Sequence, residues 1–144
     1  MIQFIIPGKV QAQERPRFSR AGKGVKTHDA PKSKNYKEFV KLIAMQNKPQ
    51  EPLHGALRLE VDIYVMPPKK YHTKPKLRLI DCGELRPVTK PDTDNLVKGI
   101  KDGMNGIIWG DDAQIVELVA RKWYSMEPRA EIKVQQISIC MEIK

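Results

Sequence analysis

Asp92, Asp94 and Asp112 lie near Lys98 in a chain that is otherwise strongly basic. They occur in Lys90-Pro91-Asp92-Thr93-Asp94-Asn95-Leu96-Val97-Lys98 and then in Trp109-Gly110-Asp111-Asp112-Ala113-Gln114. Among 144 residues, 26 Lys and Arg face 17 Asp and Glu, a formal net charge of +9. The sequence pI of about 9.6 suits a polyanionic partner, either nucleic acid or an anionic membrane surface. Clustered carboxylates work against such a partner unless they hold a divalent cation. Carboxylate oxygens are hard ligands, so the ion that fits is Mg²⁺, with Mn²⁺ as a substitute. Such an ion polarises a phosphate oxygen and generates hydroxide from bound water. A lysine on the same helix face can neutralise a pentavalent phosphate or stabilise the leaving oxygen.

These residues need a helix to position them. The pattern predicts one from the Asp92-Thr93-Asp94 turn to about Asn105, with Leu96, Val97, Ile100 and Met104 on its buried face and Asn105-Gly106 as its stop. Asp94, Lys98 and Asp102 follow at i, i+4 and i+8 and share one face. Asp92 stands at the helix mouth. Asp112 comes beside Asp92 and Asp94 if a hairpin-like return places the 109–112 turn at the helix N-terminus. Each acid also has a plainer reading as a cap, a solvated ion-pair ladder or a turn. Their joint occurrence in so basic a chain favours the metal site. Gly99 and Gly103 each cost the helix about 1 kcal/mol against Ala, which close approach to a sheet or a partner chain would offset.

Around this helix the pattern is that of an α+β chain forming a single domain over residues 1–144. Ile2, Phe4 and Ile6 alternate as a first strand. Residues 8–31 read as a basic loop or arm. Tyr36, Phe39, Val40, Ile43 and Ala44 mark a first helix, ended by Pro49 and Pro52. Leu57, Leu59, Val61, Ile63 and Val65 form the clearest strand. The segment between Pro67 and Pro91 reads as a long basic loop, with room for a short strand over residues 77–80. Strands follow over residues 116–124 and from near Glu131, the last with a bulge at Gln135-Gln136. The result is a mixed β-sheet with two main helices packed on one side.

No apolar run approaches bilayer length, and the N-terminus lacks a signal-peptide pattern. Cys82 and Cys140 have no Cys-x-x-Cys partner, so both read as free thiols in a reducing cytoplasm. His28, His54 and His72 lack the spacing of a zinc site.

The run from Lys90 to Lys98, with Asp102, Asn105 and Asp111-Asp112-Ala113-Gln114, closely resembles the RusA family of Holliday-junction resolvases. The Arg15-Pro16-Arg17 arm and the Lys122-x-Tyr124 segment resemble members from bacteria and their prophages. The resemblance implies a Mg²⁺-dependent endodeoxyribonuclease of the cytoplasm, acting as a homodimer on four-way DNA junctions in recombination and repair. By position it places the catalytic and metal-holding aspartates on Asp92, Asp94 and Asp112 and the essential lysine on Lys98, with Asp111 beside them. One catalytic cluster per chain and two symmetric nicks per junction call for a C2 dimer.

DNA phosphates would run along Arg15, Arg17 and Arg20 in the arm (with Lys23 and Lys26) and along Lys69, Lys70, Lys74, Lys76 and Lys90 in the long segment. Phe18 and Tyr71 lie within these segments, where an aromatic ring either packs or stacks on an opened base. The sequence also fits two other readings: a non-catalytic basic DNA-binding module, and a nuclease for other branched DNA.

Overall fold

The computed structural model describes residues 1–13, 17–22, 24–28 and 31–138. Among the described residues six strands and three α-helices follow one another as β1 (Ile2–Pro7), β2 (Arg17–Ala21), β3 (Gly24–His28), α1 (Pro31–Asn47), β4 (Leu57–Val65), α2 (Lys74–Asp81), α3 (Thr93–Met104), β5 (Ile115–Tyr124) and β6 (Arg129–Gln136). The main sheet has the order β1-β6-β4-β5, and β2 and β3 form a separate hairpin. β6 runs antiparallel to both β1 and β4, while β4 and β5 are parallel, so the sheet is mixed.

Alternation along β4 explains the sheet's two faces. Leu57, Leu59, Val61 and Ile63 are fully buried, and Arg58, Glu60, Asp62 and Tyr64 on the other face are half-buried. The inner row meets apolar partners across the strands: Leu59 opposite Val134, Val61 opposite Ile132, and Ile132 in turn opposite Phe4. Tyr36, Val40 and Ala44 of α1 and Leu96, Val97, Ile100 and Met104 of α3 complete this core. The outer face is stitched by ion pairs instead. Arg58 reaches Glu60 at 3.0 Å and Glu117 at 2.9 Å, and Arg121 reaches Asp62 at 3.3 Å.

The parallel pairing of β4 and β5 requires a long crossover, and that crossover carries the chemistry. It holds α2, α3 and the turn before β5. The segment after Pro67 is therefore structured. Lys69–Tyr71 forms a 3₁₀ turn, and residues 77–80, expected as a strand, lie within helix α2. Alternation over four residues cannot separate strand from helix, and Pro75 in the first turn is a helix-start signal. The arm is corrected likewise, because most of its described part is the β2–β3 hairpin. Nor does β6 bulge at Gln135-Gln136. Its pairing with β4 continues in register to Gln136 opposite Leu57, where the strand ends. The irregularity lies on the other side of β4, where the β5 register shifts between Leu57 and Arg58. Residues 139–144, which supplied the later part of the changed alternation, lie outside the described residues.

Gly103 lets α3 lie directly on α1. A Cβ built there would fall 2.6 Å from Val40 Cγ1 and 3.1 Å from the Lys37 carbonyl oxygen. Gly99 faces open contact, with its nearest neighbours at 3.9 Å. Gly103→Ala is therefore expected to lose stability despite gaining about 1 kcal/mol of helix propensity, because overpacking costs about 1–3 kcal/mol. Gly99→Ala is expected to hold or gain stability. Urea unfolding of the two variants separates the effects.

Candidate active site

The crossover builds one cleft along the flank of α3. Thr93, Asp94, Val97, Lys98, Lys101 and Asp102 line it from the helix, Asp112 from the following turn, and Leu118 and Ala120 from β5, around a volume of about 490 Å³. Leu118 and Ala120 form an apolar wall, while the helix presents charge. The i, i+4, i+8 spacing does place Asp94, Lys98 and Asp102 in one cleft.

Within it the charges pair unevenly. Lys98 Nζ lies 3.5 Å from Asp102, which is also 3.5 Å from Lys37 Nζ of α1. Asp102 is thus held between two lysines. Lys98 keeps 61% of its side chain exposed, so its ammonium is free to turn towards an incoming anion. Asp94 is exposed, and its side chain has no hydrogen bond or ion pair among the described residues.

Asp92 occupies the N-cap position of α3, as the sequence indicates, but its side chain makes no capping bond. It stands exposed at the mouth of the helix, outside the cleft lining. What fixes the loop before it is Lys122. The Lys122 ammonium donates to the carbonyl oxygens of Thr89 at 2.9 Å and Pro91 at 3.0 Å, directly ahead of Asp92. The Lys122 carbonyl in turn accepts from Arg86 Nε at 2.9 Å, and the Arg86 guanidinium lies 3.8 Å over the Trp123 ring.

Asp112 is held from the opposite end. Trp109 is bridged to Asn105 at the C-terminus of α3, and the Gly106 N–H donates to the Trp109 carbonyl at 2.8 Å. The 109–112 turn therefore sits at the C-terminal end of the helix, not at the N-terminal end that would have set Asp112 beside Asp92. The reason is the short connection: the chain turns at Gly106, at a φ of +80°, and is bonded to the end of α3 at once. Asp112 enters the cleft from there. Its Oδ1 accepts from the indole N–H of fully buried Trp109 at 2.8 Å.

Asp111 and Gln114 build that turn. Asp111 Oδ1 accepts from the Ala113 N–H at 3.3 Å, and Gln114 Oε1 accepts from the N–H groups of Gly110 and Asp111, both at 2.9 Å. This is a capping box, and the Asp-x-x-Gln spacing is its sequence signature. Gln114 Nε2 then donates to the carbonyls of Leu53 at 2.9 Å and Gly55 at 3.1 Å, tying the turn to the loop before β4. Trp109, Gln114 and Lys122 are thus the supporting residues that residue type alone did not assign. Only the capping spacing announced one of them.

Among the described residues no three His, Cys, Asp or Glu side chains converge into a ready-made metal cage. The donor set nonetheless suits a hard cation. Mg²⁺ is typically bound through one or two carboxylates, with waters and substrate phosphate completing its shell, and seldom by an all-protein cage. Asp94 and Asp112, which both line the cleft, are carboxylates of that kind, while Asp92 stands at the N-cap of α3 outside the lining.

The candidate DNA-contacting lysines are all exposed, and two of them, Lys70 and Lys90, line one pocket. Lys69 and Lys70 lie in the 3₁₀ turn, Lys74 and Lys76 on α2, and Lys90 just before α3, all exposed. Arg17 and Arg20 belong to β2. Arg15 and Lys23 lie outside the described residues, as do the side chains of Arg17, Phe18, Arg20 and Lys26. Cys82 is an exposed free thiol, and Cys140 is outside the described residues.

The model of a protein family described as endodeoxyribonuclease RusA matches residues 7–135. The chain belongs to the RusA endodeoxyribonuclease family. It is also similar to the uncharacterized protein YqaN of Bacillus subtilis (strain 168), at 41% identity over 138 residues that cover 95% of this chain and 97% of the relative. The RusA match spans every element from the end of β1 to β6, with α3 and the Asp111–Gln114 turn inside it. No helix among the described residues is long and apolar enough to cross a membrane.

Proposed function

We propose that this RusA-family chain is a Mg²⁺-dependent endodeoxyribonuclease that resolves four-way DNA junctions by paired symmetric nicks, working as a homodimer in the cytoplasm with residues 1–144 as its endonuclease domain. The observation that carries the reading is the α3 cleft. Asp94, Asp112 and Lys98 all line it, in a chain that exposes Lys69, Lys70, Lys74, Lys76 and Lys90 and belongs to an endodeoxyribonuclease family.

In this reading Asp94 and Asp112, with Asp92 from the N-cap of α3, would hold the metal ion. When bound, it supplies charge neutralisation at the scissile phosphate and lowers the pKa of a bound water. The chain's own residues do the rest. The surface lysines Lys69, Lys70, Lys74, Lys76 and Lys90, with Arg15, Arg17 and Arg20 of the arm, fix the phosphate backbone along the cleft. Lys98 turns its exposed ammonium to the phosphoryl oxygens or the leaving oxygen. Asp102, itself paired with Lys37, holds the Lys98 ammonium near that position, and the Trp109 indole N–H holds Asp112. A net charge of +9 per protomer makes binding fall steeply with salt.

The test is a nicking assay with Mg²⁺ titrated over a synthetic four-way junction, a fork and a linear duplex. The proposal expects paired nicks in the junction and far slower cutting of the others. Equal cutting of forks and junctions would instead support a nuclease for branched DNA in general. No Mg²⁺-dependent nicking of any substrate would leave a basic DNA-binding module.

Lys122 supplies a second check. Lys122→Met removes both bonds to the loop that carries Asp92. Losing such a support behind a metal ligand typically costs about 10-fold or more in metal affinity. The Mg²⁺ concentration for half-maximal nicking is expected to rise by that factor, while Lys122→Arg recovers part of the loss. A Mg²⁺ dependence unchanged in Lys122→Met would remove Asp92 from the ion's shell.

A further inference from the structure

A second pocket opens beside the N-terminus of α3 and is separate from the cleft that holds Asp94 and Asp112. It has a volume of about 370 Å³, and its lining includes Tyr71, Tyr124, Pro68, Pro87, Pro91 and Leu96, with Lys70, Lys90 and Lys122 among them. Its walls are largely apolar rings and aliphatic carbons. The two tyrosine rings meet edge to face with centroids 5.9 Å apart. The ammonium of Lys70 lies 5.2 Å from the Tyr71 ring centroid, and that of Lys76 lies 5.8 Å away. Burial, and secondarily the neighbouring Tyr71, pushes the Tyr124 phenol above its ordinary range, so this wall stays uncharged at neutral pH.

Pocket and cleft share α3. Leu96 and Pro91 line the pocket, while Thr93 and Asp94 line the cleft, and Asp92 lies between Pro91 and Thr93 in the chain. Lys122 belongs to the pocket lining and also fixes the loop that carries Asp92.

Resting on the proposed nuclease activity, we infer that this pocket takes one unstacked nucleotide of the branched DNA, next to the phosphate to be cut. Three observations converge on that occupant. The volume is that of a site for one small ligand and not for a duplex. Its aromatic and proline walls suit the flat face of a base, which stacks on such rings whatever its identity. Exposed Lys70 and Lys90 supply positive charge at the rim, so a nucleotide can set its phosphate against an ammonium and its base against Tyr71. A duplex keeps its bases paired and stacked and cannot fill the pocket without paying for their opening, whereas a branch point holds strained, easily opened bases. The pocket is thereby a device for selecting branched over linear DNA.

The experiment measures binding without divalent metal, so that it does not depend on cutting. Four-way junctions made abasic at both two-fold-related copies of one nucleotide position, taken position by position around the branch point, are titrated with wild type and with Tyr71→Ala. Losing one base–aromatic stack weakens binding about 5- to 100-fold. Tyr71→Ala is expected to show that loss on the intact junction, and the loss should vanish at one abasic position, where wild type is weakened to the same level. Tyr71→Trp should keep wild-type binding, and should this variant or the Ala variant fold poorly, the abasic scan on wild type still shows the single sensitive position. A Tyr71→Ala loss that persists at every abasic position, or an abasic scan without a sensitive position, overturns the inference. Wild-type protein that shows the sensitive position yet nicks no junction in Mg²⁺ supports the pocket and refutes the resolvase reading alone.

Discussion

Asp94→Asn is expected to reduce Mg²⁺-dependent nicking of a four-way junction by on the order of 10³-fold or more, while leaving junction binding intact. The substitution keeps the shape of the side chain and removes its charge. A metal ion contributes several kcal/mol of charge stabilisation at a reacting phosphate, and each 1.36 kcal/mol is tenfold in rate. Asp94 is exposed in the cleft and has no pairing partner among the described residues, so the fold has little to lose from the change. Binding should hold or tighten, because a negative charge leaves a surface that contacts phosphate. Single-turnover cleavage with a gel-shift titration in metal-free buffer measures both quantities. Nicking by Asp94→Asn at the wild-type rate would remove this carboxylate from the chemistry, and the cleft with it.

Trp109 carries the second large effect, and it links stability to the site. Its side chain is fully buried in the core, and its indole N–H holds Asp112 at 2.8 Å. Trp109→Ala is expected to cost about 3–5 kcal/mol by leaving a cavity. That is a large share of the 5–15 kcal/mol that typically keeps a domain folded. Trp109→Phe fills much of the space and loses the hydrogen bond, for which the expected cost is about 1.5–3 kcal/mol because the acceptor is a carboxylate. Trp109→Phe should also slow nicking at saturating DNA, because Asp112 is then free to turn away from the cleft. Urea unfolding and single-turnover rates on the same preparations distinguish the two contributions. A Trp109→Phe variant with wild-type rate and reduced stability would show that the indole serves packing alone.

Much of the architecture was legible from periodicity. β4 alternates over nine residues and appears with those bounds, because a strand buried on one face must repeat with period two. α3 begins at Thr93 after an Asp N-cap and ends before Asn105-Gly106, since its caps and apolar spacing agree. The segments read as loops were less legible. α2 is short and lies on the surface with only Ile80 buried, so its helical period barely repeats. The β2–β3 hairpin is five residues on each strand and pairs within itself, apart from the main sheet, so no long alternation marks it.

For the site, the sequence alone determined which groups are available. Residue types and their spacing on one helix set Asp94, Lys98 and Asp102 along a single flank, because 3.6 residues per turn leaves them no other arrangement. The same run of residues carries the resemblance to the RusA family. Only the tertiary structure decided what each group faces. It assigned Asp102 to two lysines, gave Asp111 and Gln114 to a capping box, and brought Asp112 to the cleft from the C-terminal end of α3 on the indole of Trp109. It also set Tyr71 against Tyr124, 53 positions along the chain, around a pocket that neither residue's local sequence announces. Local spacing follows from backbone geometry that each segment carries within itself. Partners brought together by a crossover depend on how a whole sheet and its helices pack, and that packing is written across the chain, not in any one stretch of it.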